Sequence, residues 1–256
     1  ILNTFFSYRI AHQKYVNPIQ TYEFIFQKFF TILPINSTII FSKNYKQPNF
    51  NDLYWQPFGN NNLQTEYSNN FYFSNHYSWQ DVKVDILSHY IIYKNMIQWL
   101  PKPGNNDYWS PENIQSATSK GHSLIIDFNS PFKLNWKISI SHNNTINNLE
   151  NEKLAYTPDW IVGSHFSMEY NHFYFFFSHQ YQSNRKLNIP NYYGEYRTIP
   201  SYHIFNFTLS KEIKINSFNF QTNLVLNNFT NTRFQSVYGY PEMGRTIEFQ
   251  LKITRK

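Results

Sequence analysis

The sequence predicts an all-β fold, an antiparallel transmembrane β-barrel wall of about twelve strands, one domain across residues 1–256. Three observations predict it. Aromatic residues make up 20% of the chain and charged residues only 15%, a balance that suits a pleated, half-buried surface. Apolar and polar residues alternate with period two in segment after segment. The connections between those segments alternate in length, short then long.

Composition is the weakest of the three, because an AT-rich genome would enrich Asn, Ile, Lys, Phe and Tyr whatever the fold. It does bear on the turns. Gly occurs only 7 times, and Asn, which tolerates left-handed backbone, is expected to fill turns at Asn60 to Asn62, Asn143 to Asn144 and Asn147 to Asn148.

The alternation is cleanest near the C-terminus. Phe205, Phe207, Leu209, Ile213 and Ile215 fall on one face of an extended strand, and Asn206, Thr208, Ser210, Glu212 and Lys214 on the other. Phe218, Phe220, Leu224 and Leu226 oppose Asn219, Gln221, Asn223 and Asn227, and Ile247, Phe249, Leu251 and Ile253 alternate with Glu248, Gln250, Lys252 and Thr254. Earlier strands are predicted at Phe5 to His12, Tyr22 to Phe30, Ile39 to Tyr45, Tyr67 to Tyr77, Val82 to Met96, Leu124 to Phe128, Leu134 to His142, Trp160 to Tyr170 and Phe173 to Tyr181. Most approach the roughly ten residues that a tilted strand needs to cross a bilayer.

Short turns are expected at Leu33 to Ile35, His76 to Gln80, Asn129 to Pro131, Asn171 and Asn216 to Ser217. Long polar loops are expected between them, at Gln47 to Leu63, Pro101 to Pro111, Asn143 to Tyr156, Asn184 to Pro200 and Thr230 to Gly244. An outer-membrane barrel has short periplasmic turns and long extracellular loops, whereas a soluble sandwich has no reason to gather its long loops at one end. Trp99, Trp136 and Trp160 fall near strand ends, where aromatic girdles are expected.

The net charge of +6 comes from Lys and Arg spread singly, so no nucleic-acid partner is expected. Charges near anionic lipid heads fit better. There is no Cys, hence no disulfide and no thiolate metal site. No apolar run reaches the roughly 18 residues of a spanning helix. The chain opens at Ile1 with no leader pattern, so a signal peptide, if one exists, lies upstream.

His165, His172 and His179 recur at intervals of seven, but an odd spacing on strands sends alternate side chains to opposite faces, so no metal site is expected. Ser141 and His142 are adjacent, which separates them in the same way. No nucleophile elbow and no paired carboxylates can be placed, so neither catalysis nor a cofactor is expected.

The stretch Tyr45 to Ser68, YKQPNFNDLYWQPFGNNNLQTEYS, resembles a segment of TonB-dependent outer-membrane receptors through Pro48, Phe50, Asn51, Asp52, Leu53, Tyr54 and Trp55, then Gly59, Asn60, Asn62, Leu63 and Glu66. Three further places agree in order: Lys94 to Pro101 with Pro111, Glu112 and Asn113; Tyr156, Thr157 and Pro158; and Val237 to Arg245. FNDLYW and NMIQWLP look closest to the vitamin B12 (cobalamin) receptor branch.

The resemblance implies that the chain is the C-terminal part of a 22-stranded, monomeric barrel in the bacterial outer membrane, with its plug and N-terminal strands lying outside these 256 residues. It implies energy-coupled uptake of a scarce nutrient chelate, cobalamin or a ferric siderophore. The implied partners are outer-membrane lipid and lipopolysaccharide, the TonB complex acting through the plug segment, the small chelate ligand and the barrel-assembly machinery. The family ends in an aromatic residue read by that machinery, and here Arg255 and Lys256 stand instead. The alternatives are a plugless passive pore or structural remnant, and a soluble all-β binding domain that would extract without detergent.

Loop composition supplies candidate ligand contacts: Asn51, Asp52, Tyr54, Trp55, Tyr108, Trp109, Tyr192, Tyr193 and Tyr240. Rigid amphipathic aromatics give contact area at small entropic cost. Tyr54 and Trp55 fit ligand capture and packing on the barrel wall equally well. An open sheet of about a dozen strands would leave two unpaired edges in lipid, at several kcal/mol per backbone group. Further strands must complete the barrel, or these must close on themselves into a smaller pore; the first is favoured.

Overall fold

The computed structural model describes residues 2–13, 16–30, 33–102, 105–190 and 196–255. In chain order these form β1 (Leu2–Gln13), β2 (Val16–Phe30), β3 (Ile35–Lys46), the short helix α1 (Phe50–Tyr54), β4 (Glu66–Trp79), β5 (Val82–Lys102), β6 (Asn105–Ser130), β7 (Leu134–Asn147), β8 (Glu152–Lys153), β9 (Trp160–Tyr170), β10 (Phe173–Gln182), β11 (Arg185–Pro190), β12 (Tyr196–Ile199), β13 (Tyr202–Ile215), β14 (Phe218–Asn227), β15 (Gln235–Val237), β16 (Tyr240–Pro241) and β17 (Thr246–Arg255). The long strands follow one another as an antiparallel meander, β1-β2-β3-β4-β5-β6-β7-β9-β10-β13-β14-β17, with β8 alongside β7. Each strand predicted from the sequence is present. Two small hairpins, β11/β12 and β15/β16, sit within long connections.

Register carries the alternation from strand to strand. Phe6 pairs with Phe24, Phe24 with Phe41, Phe41 with Phe71 and Phe71 with Tyr90. Farther along, Ile86 pairs with Leu124, Leu124 with Ile140 and Ile140 with Val162. Phe166, Phe177, Phe207, Leu226 and Ile247 complete the row. Paired residues share a face, so one side of the wall is a continuous oily belt.

The opposite face is stitched by polar side chains. Asn70 donates to Ser42 (3.1 Å), Asn206 to Ser178 (3.1 Å) and Asn223 to Gln250 (3.4 Å), and Ser123 bonds Ser141 at 2.9 Å. Ser141 and His142 accordingly project from opposite faces, the latter against Trp160 with ring centroids 4.5 Å apart. An Arg placed in the middle of the belt meets hydrocarbon. Phe177→Arg is expected to cost about 2–4 kcal/mol in urea titrations of the receptor in lipid vesicles, and Gln221→Arg on the wet face less than about 1 kcal/mol. Equal costs for the two would show that the belt does not face lipid.

One end of the wall has tight reversals. Gln80, Lys133, Asn171, His172 and Asn216 carry φ of 50°, 59°, 48°, 64° and 52°. Both central residues of the Asn171–His172 turn are left-handed, the type I′ arrangement that matches strand twist. The β4–β5 reversal lies at Gln80 and Asp81, so the turn expected from His76 begins too early: His76 belongs to β4, and its Nδ1 lies 2.6 Å from an Asp85 carboxylate oxygen. Asn143 and Asn144, expected in a turn, lie within β7. Trp136 and Trp160 stand outward at opposite rims. Trp99 does not join a girdle; it packs in the loop layer described below.

The other end carries the long connections, with one correction. The described residues of Pro101 to Pro111 are strand and not loop: β5 runs to Lys102 and β6 starts at Asn105, the two forming a projecting hairpin with Trp99 paired to Pro111 and Pro101 to Trp109. A sequence with three prolines and few alternating residues gives no period-two signal there.

Among the described residues no ladder joins β1 to β17, and each pairs on one side only. Phe6 on β1 and Phe249 on β17 are 61% and 71% exposed. The strands form an open wall and do not close into a smaller pore. Buried apolar residues gather above the wall at the long-loop end, Ile114, Ala117 and Leu154 against Tyr93 and Met96, and Leu187 and Ile199 against Trp109 and Tyr156.

Candidate ligand-capture site

The first half of the loop layer is built on α1. Asn49 and Asp52 form a capping box: the Asp52 N–H donates to Asn49 Oδ1 (2.8 Å) and the Asn49 N–H to Asp52 Oδ2 (3.0 Å). This satisfies two helix-start donors and lets a five-residue helix form. The other carboxylate oxygen of Asp52 accepts from Trp99 Nε1 at 3.0 Å, and its backbone carbonyl accepts from the Asn60 N–H at 2.7 Å. Gly59 lies so close to the helix that a Cβ would sit 2.7 Å from the Leu53 carbonyl oxygen and 2.8 Å from the Trp55 nitrogen, so only glycine fits.

The same connection is laced to the projecting hairpin. Asn60 Nδ2 donates to the Pro111 carbonyl (3.0 Å), and the Gln64 N–H to Asn113 Oδ1 (2.7 Å). Asn113 Nδ2 reaches the Gln64 and Asn95 carbonyls at 3.1 and 2.8 Å. Glu66, 9% exposed, accepts the Ile97 N–H at 2.9 Å, where β5 has outrun its strand partner. The motif residues Asp52, Gly59, Asn60, Glu66, Trp99, Pro111 and Asn113, scattered over three stretches of sequence, thus meet as one clasp.

The second half of the layer is held by Arg185, 4% exposed, whose Nη1 and Nη2 donate to the Ser236 and Gln235 carbonyls at 2.8 and 2.7 Å. Its guanidinium also lies 5.8 Å from the Tyr202 ring centroid, and Tyr202 meets Phe234 in a tilted pair with ring centroids 4.6 Å apart. This ties β15/β16 to β11 and to the top of β13. Tyr156 joins them: burial raises its phenol above the ordinary value, against the lowering effects of a Tyr238 backbone hydrogen bond and the Arg185 cation. Beside this junction lies a cleft of about 630 Å³ lined by Tyr202, Phe234, Tyr238, Arg233, Glu242 and Asn231 among others. Its volume suits a small-molecule ligand, and it offers rings, one cation and one carboxylate.

The residues expected to touch ligand fall into different settings. Asn51, Tyr54 and Trp55 are exposed on or beside α1, with Trp55 5.5 Å from Trp99 and 5.7 Å from Phe58. Asp52 is buried and fully engaged in the clasp. Tyr108 and Trp109 lie on β6 and not in a loop; Trp109 packs 6.2 Å from Tyr156. Tyr240 is 73% exposed on β16. Tyr192 and Tyr193 lie outside the described residues. The structure therefore groups Tyr54 and Trp55 on one side of the layer, and sets Tyr240 on the hairpin bordering the cleft. Sequence reasoning missed Arg185, Tyr202, Arg233 and Phe234, since a lone cation or ring in a polar loop carries no periodic or motif signal.

Comparison with known proteins agrees with this architecture. The family described as TonB dependent receptor-like, beta-barrel matches residues 40–229. The vitamin B12 transporter BtuB of Photobacterium profundum is 35% identical over 86 residues, 33% of this chain and 14% of that protein. Its counterpart in Vibrio vulnificus is 36% identical over 77 residues, 30% of this chain and 12% of that protein. Among solved structures, the siderophore receptor PirA from Acinetobacter baumannii superposes with a TM-score of 0.77 at 12% identity over 98% of this chain, and the ferric enterobactin receptor PfeA from Pseudomonas aeruginosa with 0.74 at 17% identity over 97%. The chain covers 43% and 42% of those two proteins. On the family match over most of its length and on the strand architecture, this chain belongs to the TonB-dependent receptors and forms part of a β-barrel in the bacterial outer membrane.

Proposed function

We propose that the protein is a receptor that captures a scarce nutrient chelate at the cell surface and passes it inward with energy supplied through the TonB complex. In this reading residues 1–256 are the C-terminal part of the barrel, and a plug and further strands elsewhere in the receptor complete it as a monomer. The observation that carries it is the loop layer: a clasped, aromatic-bearing rim with a cleft of about 630 Å³, standing over a one-sided oily wall of the receptor family. Cobalamin is the favoured cargo, because the relatives that are 35% and 36% identical over 33% and 30% of this chain are vitamin B12 transporters. A ferric siderophore is the second candidate, on the likeness to PirA and PfeA.

Tyr54, Trp55 and Tyr240 are the ligand contacts of first choice, being exposed aromatic residues of the loop layer. Cells carrying the whole gene should bind labelled cobalamin above a knockout, and Tyr54→Ala with Trp55→Ala should weaken binding roughly tenfold, as loss of aromatic anchors does. Cobalamin binding no higher than in the knockout, with ferric siderophore bound instead, would move the assignment to the second cargo. Uptake that persists when the inner membrane is de-energised would replace active transport with a passive pore.

A further inference from the structure

We propose that His179 and His203 form an open two-histidine site for a divalent transition metal, Cu²⁺ before the others, on the outward face of the wall at its long-loop end. Strand register puts them there. Phe177 pairs with Phe207 in the oily belt, and two residues nearer the long connections His179 stands opposite Phe205. A further step sets Tyr181 opposite His203, the second residue of β13. Side chains two apart on a strand share a face, so the two imidazoles lie diagonally across β10 and β13. His203 is exposed, at the strand top where water reaches.

The two nitrogens already face each other. Nε2 of His179 lies 2.9 Å from Nδ1 of His203, and the ring planes differ by 10° with centroids 5.2 Å apart, so the rings meet edge to edge. A 2.9 Å gap spans two ligand atoms at about 2.0–2.1 Å from one ion and roughly 90° apart, whereas a tetrahedral ion wants about 3.3–3.4 Å. Tetragonal nitrogen sites suit Cu²⁺ and Ni²⁺, and Cu²⁺ heads the affinity order. A swing of roughly 45° in each ring aims both lone pairs at that point, and the broad χ2 torsion of His permits it. The donor of the present hydrogen bond carries its proton on the far nitrogen once the ion is bound, so the neutral pair loses no proton. The surroundings hold the rings without competing for the ion. His179 lies against Phe205 with centroids 4.5 Å apart, and His203 against Tyr181 at 4.6 Å. The outward neighbours in register, Phe177, Phe205, Tyr181 and Ser164, carry no charge. Among the described residues no three or more His, Cys, Asp or Glu side chains gather into a metal site. The pair therefore supplies two positions and water the rest, an open and exchangeable site rather than a closed structural one. The interval of seven concealed it, because the partner of His179 is neither His165 nor His172 but a residue of the neighbouring strand.

The test titrates the whole receptor, purified in mild detergent without a polyhistidine tag, with Cu²⁺, Ni²⁺ and Zn²⁺, and reads bound Cu²⁺ by electron paramagnetic resonance. Cu²⁺ should bind more tightly than the other two, with a signal split by two imidazole nitrogens. His179→Gln and His203→Gln should each weaken it about tenfold or more and reduce the splitting, while the wet-face control His165→Gln leaves both unchanged. In the unaltered receptor, bound Cu²⁺ should shield His179 and His203 from carbethoxylation, read by mass spectrometry, which does not depend on a variant folding. A splitting from one nitrogen, full affinity in a folded His203→Gln variant, Zn²⁺ held as tightly as Cu²⁺, or histidines left unshielded would each overturn the proposal.

Discussion

Produced alone with an export signal, the 256-residue chain is expected to fail to insert into bilayers. Among the described residues β1 and β17 each hydrogen-bond on one side only, and hydrocarbon offers nothing to the free side. With roughly five unpaired N–H and C=O pairs per edge at several kcal/mol per group, the penalty reaches tens of kcal/mol, beyond the stability of any single domain. Co-expression with the rest of the receptor should restore insertion, because pairing both edges removes the term altogether. The measurement is protease protection and heat-shifted gel mobility of the chain in isolated outer membranes, with and without its complement. Protection of the chain alone would mean that its edges find each other or a second copy.

Asp52→Ala is expected to release the α1 connection from the projecting hairpin. Asp52 accepts from Asn49 and Trp99 through its two oxygens, and both donors lose their partner at once. Each unsatisfied donor costs about 1–3 kcal/mol and the lost capping box about 1 kcal/mol more, so a local destabilisation of about 3 kcal/mol should appear as faster hydrogen exchange from Asn49 to Glu66. Asp52→Asn, which keeps one acceptor oxygen, should lose less. The outcome separates scaffold from contact: Tyr54→Ala should leave exchange unchanged and alter only ligand binding. If Asp52→Ala leaves exchange untouched, the clasp does not hold the loop and Asp52 is free to meet ligand.

The wall was legible because lipid on one side and water on the other impose a rule on alternate residues. Phe205 through Ile215 obey it, as do Phe218 to Leu226 and Ile247 to Ile253, and their strands begin and end within a few residues of expectation. The rule lapses where both faces are dressed by loops, which is why β6 is legible only over Leu124 to Phe128 although it starts at Asn105. The clasp was visible as a family resemblance, yet nothing in the spelling of FNDLYW says that its carboxylate turns inward while its Tyr and Trp turn outward. That division follows from Asp52 sitting three residues after Asn49, the spacing of a capping box. The Arg185 junction left no trace, since its partners are backbone carbonyls of a hairpin 50 residues away.

The tight reversals at the short end have a further consequence. With a left-handed pair such as Asn171 and His172 closing a hairpin, adding or deleting one residue shifts the next strand by one place, and every group that faced oil then faces water. The long connections absorb the same change as slack. Insertions and deletions in this gene can therefore persist at one rim only, and the protein is free to reshape what it shows to the outside world while its inner rim stays fixed in length.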